Sequence, residues 1–342
     1  MKKVLILGGA GFIGLGIAEL LGKKKKYEIT IADIYLSDTD VDFQKIINNY
    51  NIKYIRSDFT KLESFEKLDQ NYDYVYMLAS VVGVNRCIEE PDEVIRINTS
   101  LIQNTLQWIL NCNIGKVIFS SSSECYAATT DLFDYAVPTS ENVPLTISEI
   151  GHPRFTYAIT KMLGESAFLN YGKKFNFPIT IVRYQNIFGP RMGFKHVIPH
   201  LVERFYQNED PFVIYGPEQT RAFCYISDAA HGTILAMEAK NADQQIYHIG
   251  SPDEITIKKL VETVGEIMGY KGKYISDQSY PGSVNRRCPD ISKSKKHLGY
   301  FPKVHWNIGL EKTVFWYKNY FSSGKLIENG GFKSPDELNY NL

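Results

Sequence analysis

The chain has 342 residues, enough for about two domains, and its 44% hydrophobic and 22% charged residues suit a globular protein with a large core. Lysine plus arginine equals aspartate plus glutamate at 38 each, so no global field draws the chain to nucleic acid or to a membrane surface. The five cysteines (Cys87, Cys112, Cys125, Cys224, Cys288) are odd in number, scattered and without a CxxC, which predicts reduced thiols in a cytoplasmic protein and no metal site.

In chain order, Val4-Leu5-Ile6-Leu7 is a continuous apolar run that ends in glycines, as expected of a strand buried on both faces rather than of a signal peptide. Phe12 to Leu21 carry helical spacing, and Lys23 to Lys26 predict a solvated turn. Between the strand and the helix, Gly8, Gly11 and Gly14 have the GxxGxxG spacing. That spacing gives a tight turn, a close approach of backbone to a pyrophosphate, and close packing of helix on strand. Glu28 to Ala32 predict the second strand. Asp33 at its end suits the ribose hydroxyls of NAD and would repel the 2′-phosphate of NADP. Tyr54-Ile55 predict a third strand, after which Asp58-Phe59 are placed to touch adenine.

Tyr74 to Leu78, Val117 to Phe119 and Thr180 to Val182 predict further strands, with helical patterns at Asn98 to Leu110 and Phe155 to Tyr171. Strand alternating with helix argues for an α/β fold, a doubly wound parallel sheet of Rossmann type. Ser120 to Tyr126 follow the Val117 strand, at the sheet edge where ligands bind. If the extended geometry persists, Ser122 and Glu124 point to the same side. Tyr157 and Lys161 share a helix face one turn apart, and a neighbouring ammonium would lower the phenol's pKa, fitting Tyr157 to take a proton as a hydride leaves carbon. After residue 185, Gly189-Pro190, Gly216-Pro217, Ser251-Pro252, Pro281-Gly282 and Phe301-Pro302 punctuate shorter elements, which predicts a smaller second domain. The tail from about Ser322 reads as peripheral.

Taken together, GxxGxxG, Asp33 and the Ser122–Tyr157–Lys161 set resemble the extended short-chain dehydrogenase/reductase family acting on nucleotide sugars, over Met1 to about Phe321. That family includes 4-epimerases, 4,6-dehydratases and UDP-glucuronate decarboxylases. The resemblance implies a Rossmann domain over residues 1–185 with a returning segment at about 223–250. Residues 186–222 and 251–335 would form an α+β nucleotide-sugar domain. It implies NAD held by Gly8, Gly11, Phe12, Ile13, Gly14, Asp33, Asp58, Phe59, Leu78, Ala79, Tyr157 and Lys161. Ser122 would be the hydroxyl donor, Tyr157 the base, Lys161 the residue that binds nicotinamide ribose, and Glu124 a further catalytic group. For the substrate, it implies Val82 and Gly83 beside the sugar, Asn186, Arg221 and Arg287 toward the diphosphate, Tyr215 near the base, and Arg191 and Val197 as further substrate contacts.

All reactions of the group begin with oxidation at C4 to a 4-keto sugar. Glu124, Leu78-Ala79-Ser80 and Arg287-Cys288-Pro289-Asp290-Ile291 look like the decarboxylases, whereas Gly83-Val84-Asn85-Arg86 reads like the epimerases. Ala127 replaces the family's usual glycine. Epimerisation and dehydration rank level on these features, with decarboxylation just behind and release of the ketone a fourth outcome. The alternative of another class is a non-catalytic NAD sensor, which the presence of both Tyr157 and Lys161 disfavours. The helices at Asn98 to Leu110 and Phe155 to Tyr171 resemble those that form a four-helix bundle in homodimers of the family.

Overall fold

The computed structural model describes residues 1–35, 40–126, 128–194, 196–279 and 283–323. Ala127, Pro281-Gly282 and all but the first two residues of the tail from Ser322 lie outside them.

The first six strands are β1 (Lys2–Leu7), β2 (Tyr27–Asp33), β3 (Lys53–Arg56), β4 (Asn71–Met77), β5 (Asn113–Ser122) and β6 (Ile179–Tyr184). Eight shorter ones follow: β7 (Ile187–Phe188), β8 (Phe212–Tyr215), β9 (Thr220–Ala222), β10 (Cys224–Tyr225), β11 (Gln245–Ile249), β12 (Glu254–Thr256), β13 (Tyr274–Asp277) and β14 (Arg286–Arg287). The helices of the first half are α1 (Phe12–Lys23), α2 (Val41–Asn49), α3 (Val84–Glu89), α4 (Pro91–Ile109), α5 (Thr129–Phe133) and α6 (Thr156–Phe175). Those of the second half are α7 (Val197–Tyr206), α8 (Ile226–Glu238), α9 (Ile257–Met268), α10 (Ser292–Leu298) and α11 (Trp306–Ser322).

Seven strands form one parallel sheet in the order β11-β6-β5-β4-β1-β2-β3. The chain winds outward from β1 to β3, then returns to β4 and winds the other way. The point where the direction reverses, between β1 and β4, opens a crevice at the carboxyl ends of the strands. Both faces of the sheet are covered, so its inner strands are almost wholly apolar: Val4, Leu5 and Ile6 are fully buried. One layer of core joins the sheet to α1 and α8, and the other joins it to α4 and α6. A third cluster, running from Phe188 to Phe321, packs α7, α9 and α11 around Phe205, Phe212 and Tyr317. Among the described residues no helix is long and apolar enough to cross a membrane.

One helix boundary differs from the sequence reading. Helix α4 begins at Pro91 rather than at Asn98. Proline stands in the first turn, where its missing N–H costs nothing, and Asp92 and Glu93 complement the helix dipole, so a polar turn precedes the apolar stripe. The turn at Lys23 to Lys26 is solvated as expected, its four lysines exposed, and Lys24 and Lys26 pair with Glu238 at 3.3 and 3.4 Å. Helix α6 lies unusually close to β5, because a Cβ at Gly164 would stand 2.2 Å from the Phe119 ring. This close approach brings the first turns of α6 over the end of β5.

Candidate active site

The glycine loop is shaped for a ligand. Gly8 has φ +79°, and a side chain there would strike the Ala79 amide at 2.5 Å; one at Gly14 would strike the Gly8 carbonyl at the same distance. Gly11 differs: the nearest atom to a Cβ there is the Gly8 carbonyl at 3.4 Å, so its own fold does not demand glycine. Gly11 is also the N-cap of α1, with no side-chain cap and no acid in the first turn, which leaves the helix N-terminus to an anion. Phe12 and Ile13 form that first turn. Asp33 is buried at the end of β2, accepting from the amides of Ala10 (3.0 Å) and Tyr35 (3.2 Å). Burial raises its pKa, opposed by surrounding backbone N–H groups. Leu78 and Ala79 both donate to the Leu7 carbonyl, lining the other wall. A pyrophosphate cradle beside a ribose-facing carboxylate fits NAD.

The adenine side departs from expectation. Asp58 accepts from the Thr60 amide and hydroxyl at 3.0 and 2.6 Å, and Phe59 turns its ring into the core against Phe65 at 5.0 Å. The ring has an apolar cluster to fill, so it is not presented to a ligand.

Tyr157 and Lys161 stand on the first turns of α6. Lys161 is buried and donates to the Ser120 carbonyl at 2.8 Å; burial pulls its pKa down to about 8. The Tyr157 phenol is pushed above its ordinary value by burial, with a hydrogen bond to Ser122 opposing. This reverses the predicted lowering. The Lys161 ammonium is spent on a carbonyl and lies 5.5 Å from the centre of the Tyr157 ring.

The extended geometry assumed for Ser122 and Glu124 does not persist. β5 ends at Ser122, and Ser123 to Tyr126 form a 3-10 turn in which the Glu124 amide donates to Ser122 Oγ at 3.2 Å. The turn carries the Glu124 carboxylate to Arg287, whose Nη1 donates to Oε1 at 2.5 Å and to Ser123 Oγ at 3.5 Å. Burial would raise the Glu124 pKa, but Arg287 above all, with Arg154 and Arg221, holds it below the usual carboxylate range. Arg287 therefore stands on Glu124 rather than free for the diphosphate.

The other substrate positions divide. Arg221, on β9, donates to the Thr220 carbonyl at 2.8 Å and lies near Ser283 and Gln219. Arg191 is not gathered with it: its guanidinium pairs with Asp40, which also accepts from the Tyr35 hydroxyl, so Arg191 flanks the segment after β2 at the ribose end of the cradle. Asn186, at φ +43°, donates to the Ala222 carbonyl at 3.1 Å. Val197 opens α7, 40% exposed, and Tyr215 ends β8 with the Arg204 guanidinium 5.7 Å from its ring centre. Val82 is exposed and Gly83, at φ +110°, caps α3.

Two groups escaped the sequence reading. Asn98 is buried. It accepts from the Val81 amide at 2.7 Å and donates to the Val81 carbonyl and to Thr160, so it ties the loop after β4 to α6. An amide on the apolar stripe of α4 was the available signal. Behind the 3-10 turn, Arg183 is held by Glu165 through two bonds of 2.8 and 2.6 Å and donates to Tyr126, whose hydroxyl meets His248 at 2.8 Å. Both pairs are far apart in sequence, and no local pattern marks them.

Fold and glycine cradle together define a dinucleotide-binding protein of the doubly wound class. The family model of the NAD dependent epimerase/dehydratase family matches residues 4–250, and the chain belongs to that family. UDP-N-acetyl-alpha-D-glucosaminuronate decarboxylase of Bacillus cytotoxicus is 33% identical over 326 residues, covering 93% of this chain and 98% of the relative. UDP-glucuronic acid decarboxylase 3 of Arabidopsis thaliana is 31% identical over 312 residues, covering 90% and 86%. Among solved structures, a UDP-glucuronic acid 4-epimerase mutant of Bacillus cereus, in complex with NAD and UDP-4-deoxy-4-fluoro-glucuronic acid, matches with a TM-score of 0.81. It is 27% identical and covers 93% of this chain and 99% of that one. The protein is thus an NAD-dependent nucleotide-sugar enzyme of the extended short-chain dehydrogenase/reductase type, in a group of epimerases, decarboxylases and dehydratases.

Proposed function

We propose that the protein decarboxylates a UDP-hexuronate, by oxidising C4, losing carbon dioxide from C5 and reducing the ketone again. The Glu124–Arg287 ion pair beside Ser122 and Tyr157 carries this reading. Dehydration of a 4-keto sugar needs a base to strip C5 and an acid to protonate the departing C6 hydroxyl. A carboxylate clamped by a guanidinium, with its pKa lowered, is weak as the first and cannot act as the second. Loss of carbon dioxide needs neither, because a 4-keto hexuronate is a β-keto acid and the ketone accepts the electron pair of the breaking C5–C6 bond.

NAD, when bound in the Gly8–Gly14 cradle, would supply reversible hydride acceptance at C4. Tyr157 would act as the phenolate, favoured against its burial by the positive charge of bound NAD, and take the C4 hydroxyl proton as the hydride leaves, with Ser122 donating to the same oxygen. Its phenol then donates a hydrogen bond to the enolate oxygen that forms as carbon dioxide departs, and keeps its proton. C5 takes a proton from water, and Tyr157 gives its proton back to the C4 oxygen on reduction. Lys161, fixed by Ser120, supports the ribose side, and Gly8, Gly11, Gly14 and Asp33 hold the cofactor. Arg221, Asn186 and Tyr215 serve the nucleotide and diphosphate. Incubation with UDP-glucuronate or UDP-N-acetylglucosaminuronate and NAD should release carbon dioxide. An isomer of unchanged formula from both sugars would contradict the assignment and favour a 4-epimerase.

The same reading includes a homodimer through α4 and α6, which pack side by side and leave Ile95 and Leu163 half exposed. Leu163→Glu should turn a dimer into a monomer in light scattering, because a charge would be buried without a partner. A wild-type protein that is already monomeric would contradict the dimer.

A further inference from the structure

We infer that Arg154 is the residue that recognises a carboxylate on C6 of the sugar, an inference that rests on the hexuronate assignment above. Arg154 sits in the 3-10 turn Pro153–Phe155, three residues ahead of Tyr157. The turn is rigid: the Arg154 amide donates to His152 Nδ1 at 3.2 Å, Thr156 Oγ1 donates to the Pro153 carbonyl at 2.7 Å, and Phe155 is buried. It packs against α3, which is capped by Gly83. The guanidinium therefore belongs to the wall between the Gly83 loop and the Ser122–Tyr157 pair.

Its Nε is enclosed and has no hydrogen-bond partner, and among the described residues no carboxylate lies within ion-pair distance of it. Glu124, the acid at this end of the site, is already taken by Arg287 at 2.5 Å. Its charge acts on Glu124 from beyond ion-pair distance, but an enclosed Nε with no acceptor is unfavourable unless a ligand completes it, and the planar fork matches a carboxylate or a phosphate. The geometry of a hexopyranose decides between those two anions. Tyr157 and Ser122 must meet C4. The diphosphate leaves from C1, across the ring, whereas C6 is attached to C5, next to C4. A cation on the Tyr157 side is therefore placed for the C6 group, while Arg221, on β9, lies in a separate part of the site.

Binding to the NAD-loaded protein, measured by calorimetry on a Tyr157→Phe background so that no turnover intrudes, tests this. UDP-glucuronate is compared with UDP-glucose, the same nucleotide sugar without the charge. Adding Arg154→Met should weaken UDP-glucuronate about 30-fold or more and UDP-glucose less than about threefold, and Arg154→Lys should restore part of the difference. Equal losses for both sugars, or no loss for UDP-glucuronate, would overturn the role of Arg154. If the unsubstituted protein decarboxylates UDP-glucuronate in that case, the proposed function stands and only this inference fails. If the protein with Arg154 intact binds UDP-glucuronate no better than UDP-glucose and does not decarboxylate it, the hexuronate assignment itself fails.

Discussion

Tyr157→Phe should lower turnover by about 10²–10⁴-fold while NAD and the nucleotide sugar bind within about threefold of their normal affinity. The substitution removes one hydroxyl and leaves the ring. α6 is held by Phe168 in the core and by the Glu165–Arg183 pair, neither of which involves Tyr157, so the fold is untouched. What disappears is the proposed proton acceptor for C4, and the Lys161 ammonium, committed to the Ser120 carbonyl, does not replace it. Steady-state kinetics with calorimetry on the same preparation checks this. A residual rate within tenfold of wild type would move the base elsewhere and dissolve the Ser122–Tyr157–Lys161 centre.

Arg287→Met should separate the two halves of the reaction. Ser122 is anchored in β5 and Tyr157 in α6, so C4 oxidation should continue at a rate within about fivefold of normal. The 3-10 turn that carries Glu124 loses its tie, and Glu124 is left as a part-buried carboxylate without its main partner. An uncompensated charge in such a place is strongly destabilising locally, and the turn should rearrange. Loss of carbon dioxide needs no acid or base but does need the C5–C6 bond aligned with the ketone, so a displaced turn should slow it about 100-fold or more while NADH accumulates on the enzyme. Stopped-flow absorbance follows the NADH, and product analysis follows the carbon dioxide. Equal loss in both halves would mean that the pair supports the whole site; no loss in either would remove its role.

The largest part of the fold was legible because it is written in local patterns. Val4 to Leu7, the three glycines and Asp33 are consecutive features of one βαβ unit, and each is fixed by backbone constraints within about 30 residues. β11 was not marked by its own residues, because Gln245–Ile249 is short and mixes Gln, Tyr and His with two isoleucines. The Tyr157–Lys161 pair was legible from the helix period, yet the direction of the Tyr157 pKa was not, since it depends on where the Lys161 ammonium points. The decisive feature of the sugar end is the meeting of Glu124 and Arg287, which are 163 residues apart. Sequence placed each in a motif, but only the 3-10 turn after β5 puts them together, and the proposal of decarboxylation over dehydration rests on this contact. Arg191 shows the same limit. Its motif pointed to the substrate, whereas the chain after β6 carries it across to Asp40.

Mass and proton spectra of the product made from UDP-glucuronate in heavy water test the central claim most directly. The account predicts a product that has lost carbon dioxide and carries one deuterium at C5 and none at C4, since the C5 proton comes from solvent and the hydride returns to the carbon it left. A product of unchanged formula, or one that has lost water with its carboxylate retained, would contradict decarboxylation and assign the site to epimerisation or dehydration instead.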